Sequence, residues 1–191
     1  MKRKIYDKLI DWKKNDSRRT ALLIDGARRV GKSYIAEEFA KSEYKSHLII
    51  DFNRAGNDLK DIFERYLDDL DTFFTYLSAY YGIRLYERES LIIFDEVQMF
   101  PKARSAIKYL VADGRYDYLE TGSLMSIKAN VGDIVIPSEE RYIKMYPLDF
   151  EEFLWATKND GLMPIISKCF SEKKPWDRPC TEKLWTFFGN I

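Results

Sequence analysis

The segment Gly26-Ala27-Arg28-Arg29-Val30-Gly31-Lys32-Ser33 has the spacing G-x-x-x-x-G-K-[ST]. It directly follows the apolar run Thr20-Ala21-Leu22-Leu23-Ile24-Asp25 and directly precedes a helical pattern, which is the context this spacing requires. A short apolar run that stops at a glycine reads as a strand buried on both faces of a parallel sheet. The loop therefore commits the chain to a strand, a tight turn and a helix pointing back along the sheet. Glycine lets the backbone wrap around phosphate oxygens where a side chain would obstruct it, and the amides of the loop and helix N-terminus supply a positive end. Lys32 then bridges the β- and γ-phosphates, the Ser33 hydroxyl serves as a magnesium ligand, and Tyr34 follows in the first helical turn. The plainer alternative is a glycine-rich turn without a ligand.

Three further apolar runs, Ser46–Phe52, Ser90–Asp95 and Tyr116–Thr121, read as strands. Helical patterns separate them: Ser33–Ala40, the apolar positions Leu59, Ile62, Phe63, Tyr66, Leu67, Leu70, Phe73, Phe74 and Leu77, and Ala103–Ala112. A fifth strand is expected over Tyr142–Tyr146, ending at Pro147, with a helix starting near Asp149. Alternating strand and helix predict a three-layer α/β domain with a parallel sheet of about five strands and right-handed crossovers. Residues 1–19 read as a helical lead-in, 20–155 as the core and 156–191 as a partial helical segment. The aromatic stripe from Phe63 to Tyr81 has helical spacing and is assigned to the core.

Leu91-Ile92-Ile93-Phe94-Asp95-Glu96 places two acids at a strand end. Asp95 is positioned to hold magnesium, and Glu96 to polarise the water that attacks the γ-phosphate. An adjacent Asp-Glu pair suits water as the acceptor, so hydrolysis is preferred over transfer to a second substrate. The chain has no Asn-Lys-x-Asp guanine-reading motif, which favours adenine. The following strand ends in Glu120-Thr121-Gly122-Ser123, and a polar side chain at its tip can reach the γ-phosphate or the water. Ser123 is the first choice for that role and Thr121 the second; the plain alternative is a serine capping the next helix.

With 31 basic and 31 acidic residues the formal net charge is zero, which gives no general electrostatic drive toward nucleic acid. The lead-in is locally basic, eight cations to three anions, so a DNA partner is left open beside the reading of a solvated helix packing its apolar stripe. No apolar stretch approaches the roughly 20 residues of a membrane span, and no secretory h-region follows the N-terminal charges. A cytoplasmic location is expected. Cys169 and Cys180, with no histidine near them, form neither a disulfide framework nor a zinc site.

Arg3-Lys4-Ile5-Tyr6, the loop at 26–33, Ile93-Phe94-Asp95-Glu96-Val97-Gln98, Thr121-Gly122-Ser123 and Tyr146-Pro147-Leu148-Asp149-Phe150-Glu151-Glu152-Phe153 together resemble a family of prokaryotic ATPases of the AAA superclass. The resemblance covers about residues 1–155 and continues faintly through Glu182-Lys183-Leu184-Trp185. It implies an AAA-type P-loop NTPase fold, with ATP and Mg2+ bound through Gly26, Ala27, Arg28, Arg29, Val30, Gly31, Lys32, Ser33 and Tyr34. It further implies Asp95 as metal anchor, Glu96 as base and Ser123 near the first sensor position. Family members often carry a Gly-Arg pair before the fifth strand; here Glu139-Glu140-Arg141 stands in its place. Arg141 is thus a candidate arginine finger, acting in trans if copies assemble into a ring or dimer, or else a surface ion pair with Glu139 or Glu140. Family members continue into a helical lid and a C-terminal domain, so this chain is expected to be truncated. A nucleotide-dependent switch with slow hydrolysis is the alternative function, and a protein partner is left open.

Overall fold

β1 (Ala21–Asp25) lies inside the sheet with all five of its residues buried, flanked in parallel by β4 (Asp117–Gly122) and β5 (Glu140–Lys144). β3 (Ser90–Asp95) pairs with β4, and β2 (Ser46–Asp51) pairs with β3, again in parallel. The order is β2-β3-β4-β1-β5, so β2 and β5 are the edges. These relations come from a computed structural model that describes residues 2–123 and 139–173. Register sets Asp25 beside Gly122 and Lys144, and Asp51 beside Asp95, so the strands end together along one edge.

Strand periodicity sends alternate side chains to opposite faces, and each face has its own helices. Leu22, Ile24, Leu91, Ile93 and Leu119 pack under α1 (Ile5–Asn15) and α2 (Lys32–Glu43), which contribute Ile5, Leu9, Trp12, Ile35 and Phe39. Leu23, Ile50, Ile92, Phe94 and Tyr118 face α3 (Asn57–Tyr66), α4 (Leu70–Tyr81) and α5 (Pro101–Asp113). Three layers result, as the alternation predicts. The aromatic stripe is core: Phe63 packs edge-on against Phe52, Phe73, Phe94 and Phe100 at ring distances of 5.0–5.8 Å.

Several boundaries differ from the periodicity: β2, β4 and α5 by one or two residues, and three more with identifiable causes or consequences. The single helical pattern from Leu59 to Leu77 is two helices, because the Asp69 carboxylate accepts from the Thr72 amide at 3.3 Å and starts α4 afresh. The fifth strand lies two residues earlier than expected, since it must run alongside β1, and Tyr146 is left exposed. α2 continues past Ala40 to Glu43.

Two units emerge from the backbone contacts: residues 5–147, and residues 2–4 with 148–173. The lead-in helix thus belongs with the sheet, through Leu9 and Trp12. The second unit contains α6 (Phe150–Ala156) and α7 (Leu162–Glu172). Asp149 and Glu152 form a reciprocal cap on α6, and the Glu152 carboxylate also accepts from the Lys4 amide at 2.7 Å and pairs with buried Arg3 at 3.2 Å. Cys180 and the segments 182–185 and 184–191 lie outside the described residues, as does most of the expected C-terminal segment beyond 173.

Candidate nucleotide site

At the end of β1 the chain turns at Gly26 under a severe packing constraint. A Cβ added there would stand 2.3 Å from the Met145 carbonyl oxygen, in the backbone just after β5. The Met145 amide in turn donates to the Asp25 carbonyl at 2.7 Å, and the Tyr142 hydroxyl donates to the Asp25 carboxylate at 2.9 Å. Gly26→Ala is therefore expected to lower stability by about 1–3 kcal/mol, the usual cost of overpacking. A thermal melt checks this, and a wild-type melting temperature would show that the strand end yields freely.

The rest of the loop is shaped by two left-handed residues, Arg29 at φ 65° and Gly31 at φ 94°. Gly31 caps α2 with no side chain bonded to the first turn, so the first amides of the helix remain available to an anion. Ala27, Arg28 and Arg29 are exposed, Val30 is half-buried, and Tyr34 is largely exposed on the first turn of α2. Lys32 is 5% exposed and folds back over the loop, its ammonium donating to the carbonyls of Gly26 at 3.0 Å and Ala27 at 2.9 Å. A cation held against the loop beside its amides is placed to meet a polyphosphate.

Two strands away, Asp95 meets the same loop. Its Oδ1 accepts from the Ser33 hydroxyl at 2.7 Å and also from the Thr121 hydroxyl. Thr121 Oγ1 accepts from the Glu96 amide at 3.1 Å. Phe94 pairs with Glu120, which brings Thr121 level with Asp95, whereas Ser123 lies beyond the end of β4. The geometry thus gives the contact at the strand tip to Thr121; Ser123 is half-buried and makes no hydrogen bond among the described residues. Glu96 takes a left-handed conformation, φ 54°, and its carboxylate accepts from the side-chain amide of Gln98. Gln98 is buried, and its own carbonyl oxygen has no partner among the described residues. Sequence reading includes Gln98 in the motif after Asp95 but gives it no role; a polar residue inside the otherwise apolar stretch Val97–Met99 was the available signal.

Arg141 is placed elsewhere. It lies beside Leu22, three residues and about 10 Å below the strand ends, and its guanidinium pairs with Asp11 at 3.0 Å and with Asp16 of the segment after α1. The expected ion pair exists, but with the lead-in and not with Glu139 or Glu140.

Ser33 and Asp95 supply two hard oxygen donors within hydrogen-bond distance of each other, the donor type magnesium selects. Together with the N-terminus of α2, capped by Gly31 without a side chain, and the Lys32 ammonium, they fit a magnesium nucleotide. A family model described as an AAA domain matches residues 18–154. The chain belongs to the AAA domain family. Comparison with curated protein sequences finds no match. Among solved structures, this AAA domain is similar to PCH-2 of C. elegans, at 14% identity and a TM-score of 0.38, over 91% of this chain. The chain spans 45% of the length of that PCH-2 chain. No helix among the described residues is long and apolar enough to cross a membrane.

Proposed function

We propose that this AAA domain binds MgATP on residues 26–33 and hydrolyses it to ADP and phosphate. The observation that carries the reading is the Ser33–Asp95 contact, which joins the phosphate loop to the acidic strand end. Lys32, already dehydrated and aimed along the loop, moves its donors from the Gly26 and Ala27 carbonyls to the β- and γ-phosphates. Ser33 and Asp95 hold the magnesium, which when bound neutralises charge on the phosphates. Thr121 fixes the Asp95 carboxylate and the Glu96 backbone in one stroke. Glu96 takes a proton from water as the water oxygen bonds to the γ-phosphorus and the bond to the ADP oxygen breaks.

The second reading, a nucleotide-dependent switch with slow turnover, is favoured by one observation: the Glu96 carboxylate is held by Gln98. Single-turnover hydrolysis separates the two. The wild-type chain is expected to release phosphate, and Glu96→Gln to bind MgATP with unchanged affinity while hydrolysing at least about a hundredfold more slowly. Equal rates in the two proteins would remove Glu96 from the chemistry. Family membership supports assembly of copies, and Arg141 can act in trans there only after releasing Asp11 and Asp16. The division into a lead-in at 1–19, a core at 20–155 and a helical segment from 156 is proposed as an organisation of the sequence.

A further inference from the structure

A groove of about 630 Å³ lies between the C-terminal end of α3 and the outer side of α5, and no residue of the loop at 26–33 lines it. Its volume falls within the range of ligand sites. Its accessible apolar surface is that of the partly buried Leu67 and Leu70, with Phe63 and Ala106 buried beneath as its floor. Glu64 and Asp68 line it from α3 and the residues just beyond, while Lys102, Ser105 and Tyr109 line it from α5.

The charges of this groove are not balanced internally. Among the described residues lining it, Lys102 is the sole cation against the carboxylates Glu64, Asp68 and Asp113. Asp113 is satisfied by Arg115 at 2.8 Å, and Arg65, the cation next to Glu64, is committed to Asp61 at 3.0 Å. Glu64 and Asp68 make no ion pair among the described residues. Glu64 stands in the last turn of α3 and Asp68 two residues beyond its end, so both lie near the negative end of the helix dipole. A cation beside them offsets that charge. Across the groove Tyr109 is 64% exposed, presenting an aromatic face to the same space.

We propose that this groove docks a segment of a partner protein carrying an apolar anchor flanked by lysine or arginine. The anchor covers Leu67 and Leu70, the flanking cations pair with Glu64 and Asp68, and Tyr109 offers its ring to either. Nucleic acid is disfavoured by the acidic rim. The floor connects to the nucleotide site through packing: Phe63 touches Phe94, the residue before Asp95, at a ring distance of 5.8 Å, and Phe100, which starts α5, at 5.7 Å.

The test uses a fluorescein-labelled peptide of about twelve alternating lysines and leucines, with fluorescence anisotropy at about 0.15 M salt as the readout. Saturable binding is expected, weakened at least about tenfold by the double variant Glu64→Lys/Asp68→Lys. Ser105→Trp, which fills the groove from an exposed position, is expected to weaken binding by at least about tenfold too. Replacing the probe's lysines with glutamate, or its leucines with serine, should do the same. Lys32→Ala should bind the probe as the wild type does, so loss of nucleotide binding leaves this result standing. Unchanged affinity in both groove variants overturns the proposal, as does binding indifferent to the lysine-to-glutamate exchange. Self-association of the wild-type chain that both variants abolish overturns it in favour of a second copy as occupant.

Discussion

Lys32→Ala is expected to weaken MgATP binding by at least about a hundredfold, or roughly 3 kcal/mol. The side chain is one of the few buried charges in the domain, and both of its hydrogen bonds go to carbonyls of the loop that it serves. Its removal takes away the cation without taking away the loop's amides, so the residual binding measures what backbone geometry alone provides. Thermal shift gives a direct readout. Ligand at a hundred times its dissociation constant adds about 2.7 kcal/mol, which for a domain of this size raises the melting temperature by about 5–10 °C. The wild-type protein should show that rise and the variant at most about 1–2 °C. An equal shift in both would mean that Lys32 does not meet the phosphates.

Arg104→Ala is expected to be the most damaging single change to stability, costing about 3–5 kcal/mol. Arg104 is 1% exposed on the inner face of α5. Its guanidinium stands 2.7 Å from Glu140 on β5 and 3.4 Å from Glu120 on β4, both buried. One cation between two carboxylates leaves an excess negative charge in a dry interior. Burial first, and then the Glu140 charge, pushes Glu120 up from 4.5 to about 8, against the pull of Arg104. Glu140 is raised too, chiefly by burial. Between about 4.5 and about 8 the folded protein therefore keeps a proton on Glu120 that the unfolded chain has already lost. The stability this site contributes is fully present below that interval and is lost as pH rises through it. Without Arg104 nothing offsets the two carboxylates, so Arg104→Ala should melt about 10–15 °C lower near neutrality and lose further ground toward pH 8. Glu120→Gln should flatten the profile and be more stable than the wild type at about pH 8.5. A melting curve for Arg104→Ala matching the wild type, or a slope that survives Glu120→Gln, would refute the assignment.

Much of this architecture was legible because each apolar run stands against a charged or glycine boundary. Ser90–Asp95 was read with both ends right, since Ser90 and Asp95 bracket four apolar residues and the strand is buried on both faces. What could not be read was the position of one strand relative to another. Thr121 and Ser123 are two residues apart at the end of β4, and both are polar side chains that the sequence alone could place at its tip. Only the pairing of Phe94 with Glu120 decides that Thr121 stands level with Asp95. The ion-pair partners of Arg141 could not be read for a related reason: Asp11 and Asp16 are more than a hundred residues distant in sequence, and no spacing rule reaches them. The Arg104 cluster did leave a trace, because Glu120 interrupts the apolar run Tyr118-Leu119 inside a strand, and a carboxylate there demands a buried cation. The division of Leu59–Leu77 into α3 and α4 was available in Asp69, whose capping chemistry outweighs the continuity of the apolar pattern.

The contact at Gly26 has a genetic consequence. The atom that a new side chain would strike is the main-chain oxygen of Met145, which every amino acid at position 145 would carry. No substitution at that neighbour can make room. A screen for second-site suppressors of a Gly26 variant should therefore return changes that displace the end of β5, or none, and never a simple size exchange between the two positions.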